Sequence, residues 1–276
     1  MSASKREKEA RLFQNIMQLF LSKLLKKLRQ RLLDQRNIFL THLNQVVDVL
    51  DSGHIDYVIF KTIRPVPETP VDIDVLVESK DDAHYVITRL RKRFHVEVWG
   101  EDRYSIGIRI PEFNEYIDFY VKPHVADFVY LDSEVLIKNK MYLFIDEVGV
   151  EVLIPVPKPE FEFCSILARS IIKEGLITLN DVISLIAYEL LSSRDELIQW
   201  LSELSLKIAY REIINKLEGI FPVRINYMTV FKVLTPLLRK KYVTSSLPHF
   251  ALGLSKRLSR IIERRERLTY VRGLGR

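Results

Sequence analysis

The chain has 276 residues, 47% hydrophobic and 10% aromatic, enough to fill one or two packed cores and too apolar for a disordered protein. The single cysteine, Cys164, excludes a disulfide framework and a cysteine-based zinc site; the charged start (Lys5, Arg6, Glu7, Lys8, Glu9) and the lack of a long uncharged apolar run argue against a signal peptide and a transmembrane segment, so a cytoplasmic location is expected. The net charge of +6 is uneven: residues 1–36 hold ten basic and three acidic residues, 239–276 hold eleven and two, and the middle is left at −10. Two basic ends suit a polyanion, and they equally suit solvated helix faces.

Residues 8–33 carry apolar side chains at helical spacing (Leu12, Phe13, Ile16, Met17, Phe20, Leu21, Leu24, Leu25, Leu28, Leu32), interleaved with Lys23, Lys26, Lys27, Arg29 and Arg31. This basic amphipathic helix can pack on its own chain, on a second copy as a homodimer element, or on a membrane surface. A second helix is expected over Asn37–Leu50, closed by Asp51-Ser52-Gly53 with Gly53 as its C-cap. Ile55–Phe60 reads as a short strand. Lys61–Pro70 must be a loop, because Pro65, Pro67 and Pro70 forbid a helix or a central strand.

Val71-Asp72-Ile73-Asp74-Val75-Leu76-Val77 is the most informative stretch. As a strand it puts Asp72 and Asp74 on one face, about 6.5–7 Å apart along the chain, and Val71, Ile73, Val75 and Val77 on the other. Two carboxylates side by side in an apolar strand repel each other, unless the strand is an exposed edge or a cation sits between them. Hard oxygen ligands suit Mg²⁺. A helix over Asp81–Arg93 follows, with Ala83, Val86, Ile87 and Leu90 inward, then strands over Phe94–Trp99, Tyr104–Ile110 and Tyr116–Lys122. The last contains Asp118, again an acid in an apolar and aromatic strand. More short strands are expected over 128–154, ending with Glu151–Ile154. Pro155, Pro157 and Pro159 then punctuate the chain, and helices are expected near 160–174, 179–192, 194–217, 227–240 and 248–267, with Gly175 and Gly219 at helix ends. The fold class that follows is α+β: a basic helical arm (1–36), a mixed-sheet domain (37–156) and a helical domain with a basic end (157–276).

This order of elements resembles the DNA polymerase β-like nucleotidyltransferase superfamily, in its aminoglycoside-type branch. The resemblance covers residues 38–122: an opening helix and strand (Leu43–Phe60), the paired-aspartate strand (Val71–Val77) and a strand with a third aspartate (Tyr116–Val121). A weaker similarity runs through Leu153-Ile154-Pro155, Arg169–Lys173 and Leu179-Asn180-Asp181. It implies a nucleotidyltransferase that moves a nucleoside monophosphate from an NTP to an acceptor and releases pyrophosphate. Asp72, Asp74 and Asp118 would be catalytic and would hold Mg²⁺ or Mn²⁺; Asp118 would also help activate the acceptor. The family's Gly-Ser turn, which holds the nucleotide phosphates, is replaced here by Lys61-Thr62. Thr62 can supply the hydroxyl and Lys61 or Arg64 the charge, while Arg169 and Lys173 can reach a triphosphate from the helical half. The basic ends favour RNA or tRNA as acceptor.

The alternative is an inactive nucleotidyltransferase-like module for nucleic-acid binding or assembly. A primase-type polymerase also uses paired aspartates, but the helical second half fits it less well. Glu68, Arg109, Lys122 and His124 are weaker candidates for the site. Cys164 reads as apolar filler, and Trp99 and the tyrosines form no stacking motif in the sequence.

Overall fold

Alternating apolar residues on five short strands decide where the core lies. The computed structural model describes residues 3–65, 70–125, 128–147, 149–174, 176–204, 206–214 and 223–224. Helix α1 (Ala3–Ser52) leads into β1 (Tyr57–Ile59) and β2 (Asp72–Val77), then α2 (Lys80–Leu90), β3 (Glu97–Glu101), β4 (Ser105–Arg109) and β5 (Tyr116–Tyr120). These five strands form one mixed sheet in the order β1-β2-β5-β4-β3. Strands β2 and β5 are parallel, and the other pairs are antiparallel.

The two sheet faces have different covers. Ile73, Val75, Val77, Ile106, Ile108, Ile117 and Phe119 pack against Phe39–Leu50 of α1 and against Ala83, Val86, Ile87 and Leu90 of α2. The inward residues of α2 are those its periodicity predicts. Val58, Leu76 and Tyr120 face the other way, into a second core. That core is built by α3 (Ser133–Lys138), α4 (Pro159–Ala168), α5 (Leu179–Leu191), α6 (Arg194–Glu203) and α7 (Lys207–Ile214). On this second face only the Leu76 and Tyr120 end is sealed by apolar packing. The other end carries aspartates instead and stays open.

Between the sheet and α4 lie the short pair β6 (His124–Val125) and β7 (Phe128–Val129), and the hairpin of β8 (Lys140–Glu147) with β9 (Val150–Pro157). The helical half is interrupted by one short antiparallel ladder, β10 (Leu176–Ile177) with β11 (Val223–Arg224).

Several expectations are corrected. The two helices expected at 8–33 and 37–50 are one, because no glycine or proline occurs anywhere between Ala3 and Ser52 to break it. Gly53 is not the left-handed residue at its end. That role falls to His54 (φ 54°), while Gly53 is small because an added Cβ would stand 3.0 Å from the Tyr85 ring. Helix α3 stands where short strands are expected; its six residues are too few for a periodic signal, and the capping bond from the Glu134 N–H to the Asp132 side chain starts it. Strand β9 runs through Pro155 to Pro157. Residues two apart turn their backbone nitrogens to the same edge, so both prolines remove donors from one side of the strand. Expectations at Glu68, Gly175, Gly219, 227–240, 248–267 and the basic C-terminal end lie outside the described residues. Among the described residues, no helix is long and apolar enough to cross a membrane.

The core begins abruptly along α1. Ile38 is 43% exposed and its neighbour Phe39 is fully buried. Phe39→Ala is expected to cost about 3–5 kcal/mol in chemical denaturation, and Ile38→Ala under about 0.5 kcal/mol. Equal costs would mean that α1 docks differently.

Candidate active site

Asp72 and Asp74 leave β2 on the same face, because strand residues two apart do so. The parallel register then sets Asp118 of β5 directly opposite Asp74. One carboxylate oxygen from each of the three lies within 4.8 Å of the others. Asp74 is buried and its two neighbours are partly buried. Burial raises the Asp118 carboxyl to about 6, with the charges of Asp74 and Asp72 adding to the shift. Asp72 moves up for the same reasons, burial first and Asp74 second. Three carboxylates this close resist being ionised together. Only hard oxygen donors converge here, so the donor set fits Mg²⁺ or Mn²⁺, and Asp72, Asp74 and Asp118 would hold the ion.

The loop after β1 supplies a first counter-charge. Phe60 still pairs with β2 through its N–H to the Asp74 carbonyl (3.1 Å). Lys61 then takes a left-handed backbone conformation (φ 61°), at the position where the resembled family has glycine. Its N–H donates to both carboxylate oxygens of Glu162, at 2.9 and 3.2 Å. Its ammonium turns back to Asp74, 3.1 Å from Oδ2. The rings of Phe60 and Tyr120 enclose it at 4.2 and 4.8 Å. Thr62 is also buried. Its hydroxyl accepts the Asp74 N–H (2.8 Å) and donates to the Phe60 carbonyl (3.3 Å), so it ties the loop to β2.

Arg64 reaches α5. Its Nη1 lies 2.9 Å from Asp181 Oδ1, while Asp181 Oδ2 accepts the N–H and the hydroxyl of Thr178 in a capping box. One carboxylate therefore fixes both the helix start and the loop. Arg169 and Lys173 sit on a π-helical turn, Arg169–Glu174, that continues α4. Arg169 pairs with Glu174 at 3.9 Å, and Lys173 lies 5.9 Å from the Tyr120 ring. The charges of both are felt at Asp72. A cavity of about 410 Å³ opens here, lined by Asp72, Asp74, Lys61, Arg64, Arg169 and the first turn of α5.

All the predicted site residues except Thr62 thus line this cavity or flank it, and Thr62 braces its floor. Sequence reasoning missed Glu162. Its signal was an acid within the apolar run Phe161–Cys164, the same anomaly that marks the aspartates. Burial pushes the Glu162 carboxyl up to about 7. His124 is structural: its ring nitrogens meet the Lys122 carbonyl and Asp102, both at 2.9 Å. Cys164 is buried, and burial pushes its thiol far up. Lys122 lies over Tyr104, and Arg109 ends β4 on the far side of β5.

No protein-family model matches this sequence, and no curated protein matches it. Among solved structures, the solution structure of the antibiotic-resistance factor ANT(2'')-Ia is similar at 14% identity and a TM-score of 0.43, covering 67% of this chain and 96% of that one. So remote a likeness carries no functional weight. The residues must carry it.

Asp118→Asn removes one of the repelling carboxylates. The metal-free variant is expected to be about 1–3 kcal/mol more stable than wild type at pH 7 in urea melts, and to lose Mn²⁺ binding in calorimetry. The sign follows from the raised carboxyl. The folded protein holds the Asp118 proton more tightly than the unfolded chain, so ionisation opposes folding. The difference should therefore be absent near pH 3, grow from about pH 4 to about pH 6, and stay level above. A variant less stable at every pH would overturn this account. Thr62→Val keeps the shape but leaves the Asp74 N–H unpaired. It should cost about 1–3 kcal/mol and weaken Mn²⁺ binding; an unchanged melt would show that the hydroxyl braces nothing.

Proposed function

We propose that this protein is a metal-dependent nucleotidyltransferase, transferring a nucleoside monophosphate from an NTP to an acceptor hydroxyl. The observation that carries this reading is the convergence of three carboxylate oxygens within 4.8 Å on one sheet face, beside a cavity edged by Lys61, Arg64 and Arg169. A bound Mg²⁺ or Mn²⁺ supplies neutralising charge to phosphate oxygens and acidifies a hydroxyl. Lys61, Arg64, Arg169 and Lys173 bind the triphosphate by charge. The acceptor oxygen forms a bond to the α-phosphorus, the bond from that phosphorus to the bridging oxygen breaks, and pyrophosphate leaves with the electron pair. Asp118, on the β4 side of the triad, is the carboxylate best set to take the hydroxyl proton.

RNA or tRNA is the acceptor class we favour, supported by the net +7 and +9 of the two chain ends. The exposed Leu32 and Leu33 of α1 support a homodimer contact along that helix. The accompanying division is a basic arm (1–36), a catalytic domain (37–156) and a helical domain (157–276).

One observation favours a second reading, an inactive binding or assembly module. Asp74 already has a counter-ion in Lys61, which stands where the family has glycine. Incubation of the protein with each labelled NTP, Mg²⁺ or Mn²⁺ and total cellular RNA separates the two. Label should enter RNA with wild type and fall by at least about 100-fold in Asp72→Ala/Asp74→Ala. No transfer with any NTP, in protein that still binds Mn²⁺, would leave the module.

A further inference from the structure

The sheet face that carries the aspartates continues past Asp118 onto β4 and β3. Cross-strand register aligns its residues in rows. Asp72, Tyr116, Arg109 and Glu97 form one row, and Asp74, Asp118 and Gly107 form the next. The ladder of β3 shifts between Val98 and Gly100, so Trp99 is the extra residue of a bulge. Such irregularities re-aim side chains and are common beside active sites. Here the indole folds over Gly107. A Cβ at that position would stand 2.4–2.7 Å from three indole atoms, so only glycine lets the ring lie against the strand. Gly107 is directly opposite Asp118, one strand spacing of ~5 Å away.

The ring that settles there is not buried. Trp99 is 59% exposed, and Tyr116 stands edge-on to it with ring centroids 6.0 Å apart, itself 45% exposed. Two large exposed aromatics beside a cluster of carboxylates are poorly explained by folding alone. The cavity described above lies on the other flank of Asp72 and Asp74, toward Lys61 and α5. The donor phosphates and the aromatic pair therefore occupy opposite sides of the triad, with Asp118 next to the aromatics. Arg109 is exposed in the Tyr116 row on this face, paired across the strands with exposed Glu97.

We propose that Trp99 and Tyr116 form a stacking platform for the terminal base of a single-stranded RNA acceptor, holding its terminal hydroxyl over Asp118. The assignment rests on the nucleotidyltransferase reading for the hydroxyl's role, whereas the platform itself does not. Aromatic faces stack any base, and Arg109 beside Tyr116 can hold a phosphate, a combination typical of single-strand binding. In a duplex the inner bases already stack on their neighbours, and only the outer face of the terminal pair is exposed.

The chain has two tryptophans, and Trp200 packs against Phe161 in the helical core, so Trp200→Phe leaves Trp99 as the only tryptophan. A short single-stranded RNA, titrated into this variant without metal or NTP, should quench the Trp99 emission; the same RNA in a duplex should quench it much less at equal concentration. In the wild-type background, Trp99→Ala should weaken binding of labelled RNA, read by anisotropy, by about 5- to 150-fold, and Trp99→Phe should restore most of it. Gly107→Ala, which displaces the indole, should weaken binding in the same way. Quenching by NTP alone would assign the platform to the donor base and overturn the proposal. Unchanged RNA affinity in Trp99→Ala would also overturn it. If RNA quenches Trp99 but no NTP label is ever transferred, the platform stands and the transferase reading falls.

Discussion

Repulsion among three carboxylates is the constraint to which the site is built. Asp72, Asp74 and Asp118 share one face of two adjacent parallel strands, and burial makes their mutual charge costly. The register places Asp118 opposite Asp74, so the strands cannot relax without losing the ladder that seals both cores. The charge must be met from outside the sheet. Lys61 meets Asp74 from the loop after β1, and Arg169 and Lys173 act from the π-helical turn. A sheet with these acids needs that loop and that turn.

The same need explains how the helical half is attached. Glu162 enters from α4 and takes the Lys61 N–H; Arg64 leaves the loop and meets Asp181 at the start of α5. The Tyr188 hydroxyl adds a bond to the Ile63 carbonyl (2.9 Å). Three polar links from α4 and α5 thus converge on Lys61, Ile63 and Arg64. Residues 61–64 are held by these bonds. The loop positions the cations because the helical half positions it.

What could be read in the sequence was whatever broke a pattern. Aspartates within apolar strands stand out, and so do prolines in a loop; the paired strand and Asp118 were legible for that reason. The parallel pairing of β2 with β5 was not, since nothing local in either strand states its partner. Glu162 hid in a helix whose other residues are nearly all buried, where one acid reads as an exposed face. Trp99 was invisible as a site because its position depends on a bulge and on Gly107, eight residues away in sequence and adjacent only after the strands pair. The continuity of α1 was hidden for the opposite reason: the two apolar stretches, 8–33 and 37–50, read as separate helices, yet no glycine or proline lies between them to end the first.

Lysine at position 61 is the clearest departure from the resembled family, and magnitudes explain why it is tolerated. A left-handed backbone costs a non-glycine residue about 1–2 kcal/mol. Leaving a buried carboxylate without its partner costs about 3–5 kcal/mol. With Asp74 buried and no other described side chain within ion-pair distance of it, the second figure exceeds the first. Lysine is therefore the better residue for the metal-free fold, even at a backbone angle that favours glycine. A glycine there would relax the loop and leave Asp74 dependent on a bound cation. Lysine at this position therefore does not by itself argue against a working site. It supplies an internal cation where glycine would leave that task to a metal, and it leaves Asp72 and Asp118, on either side of Asp74, without so close a partner.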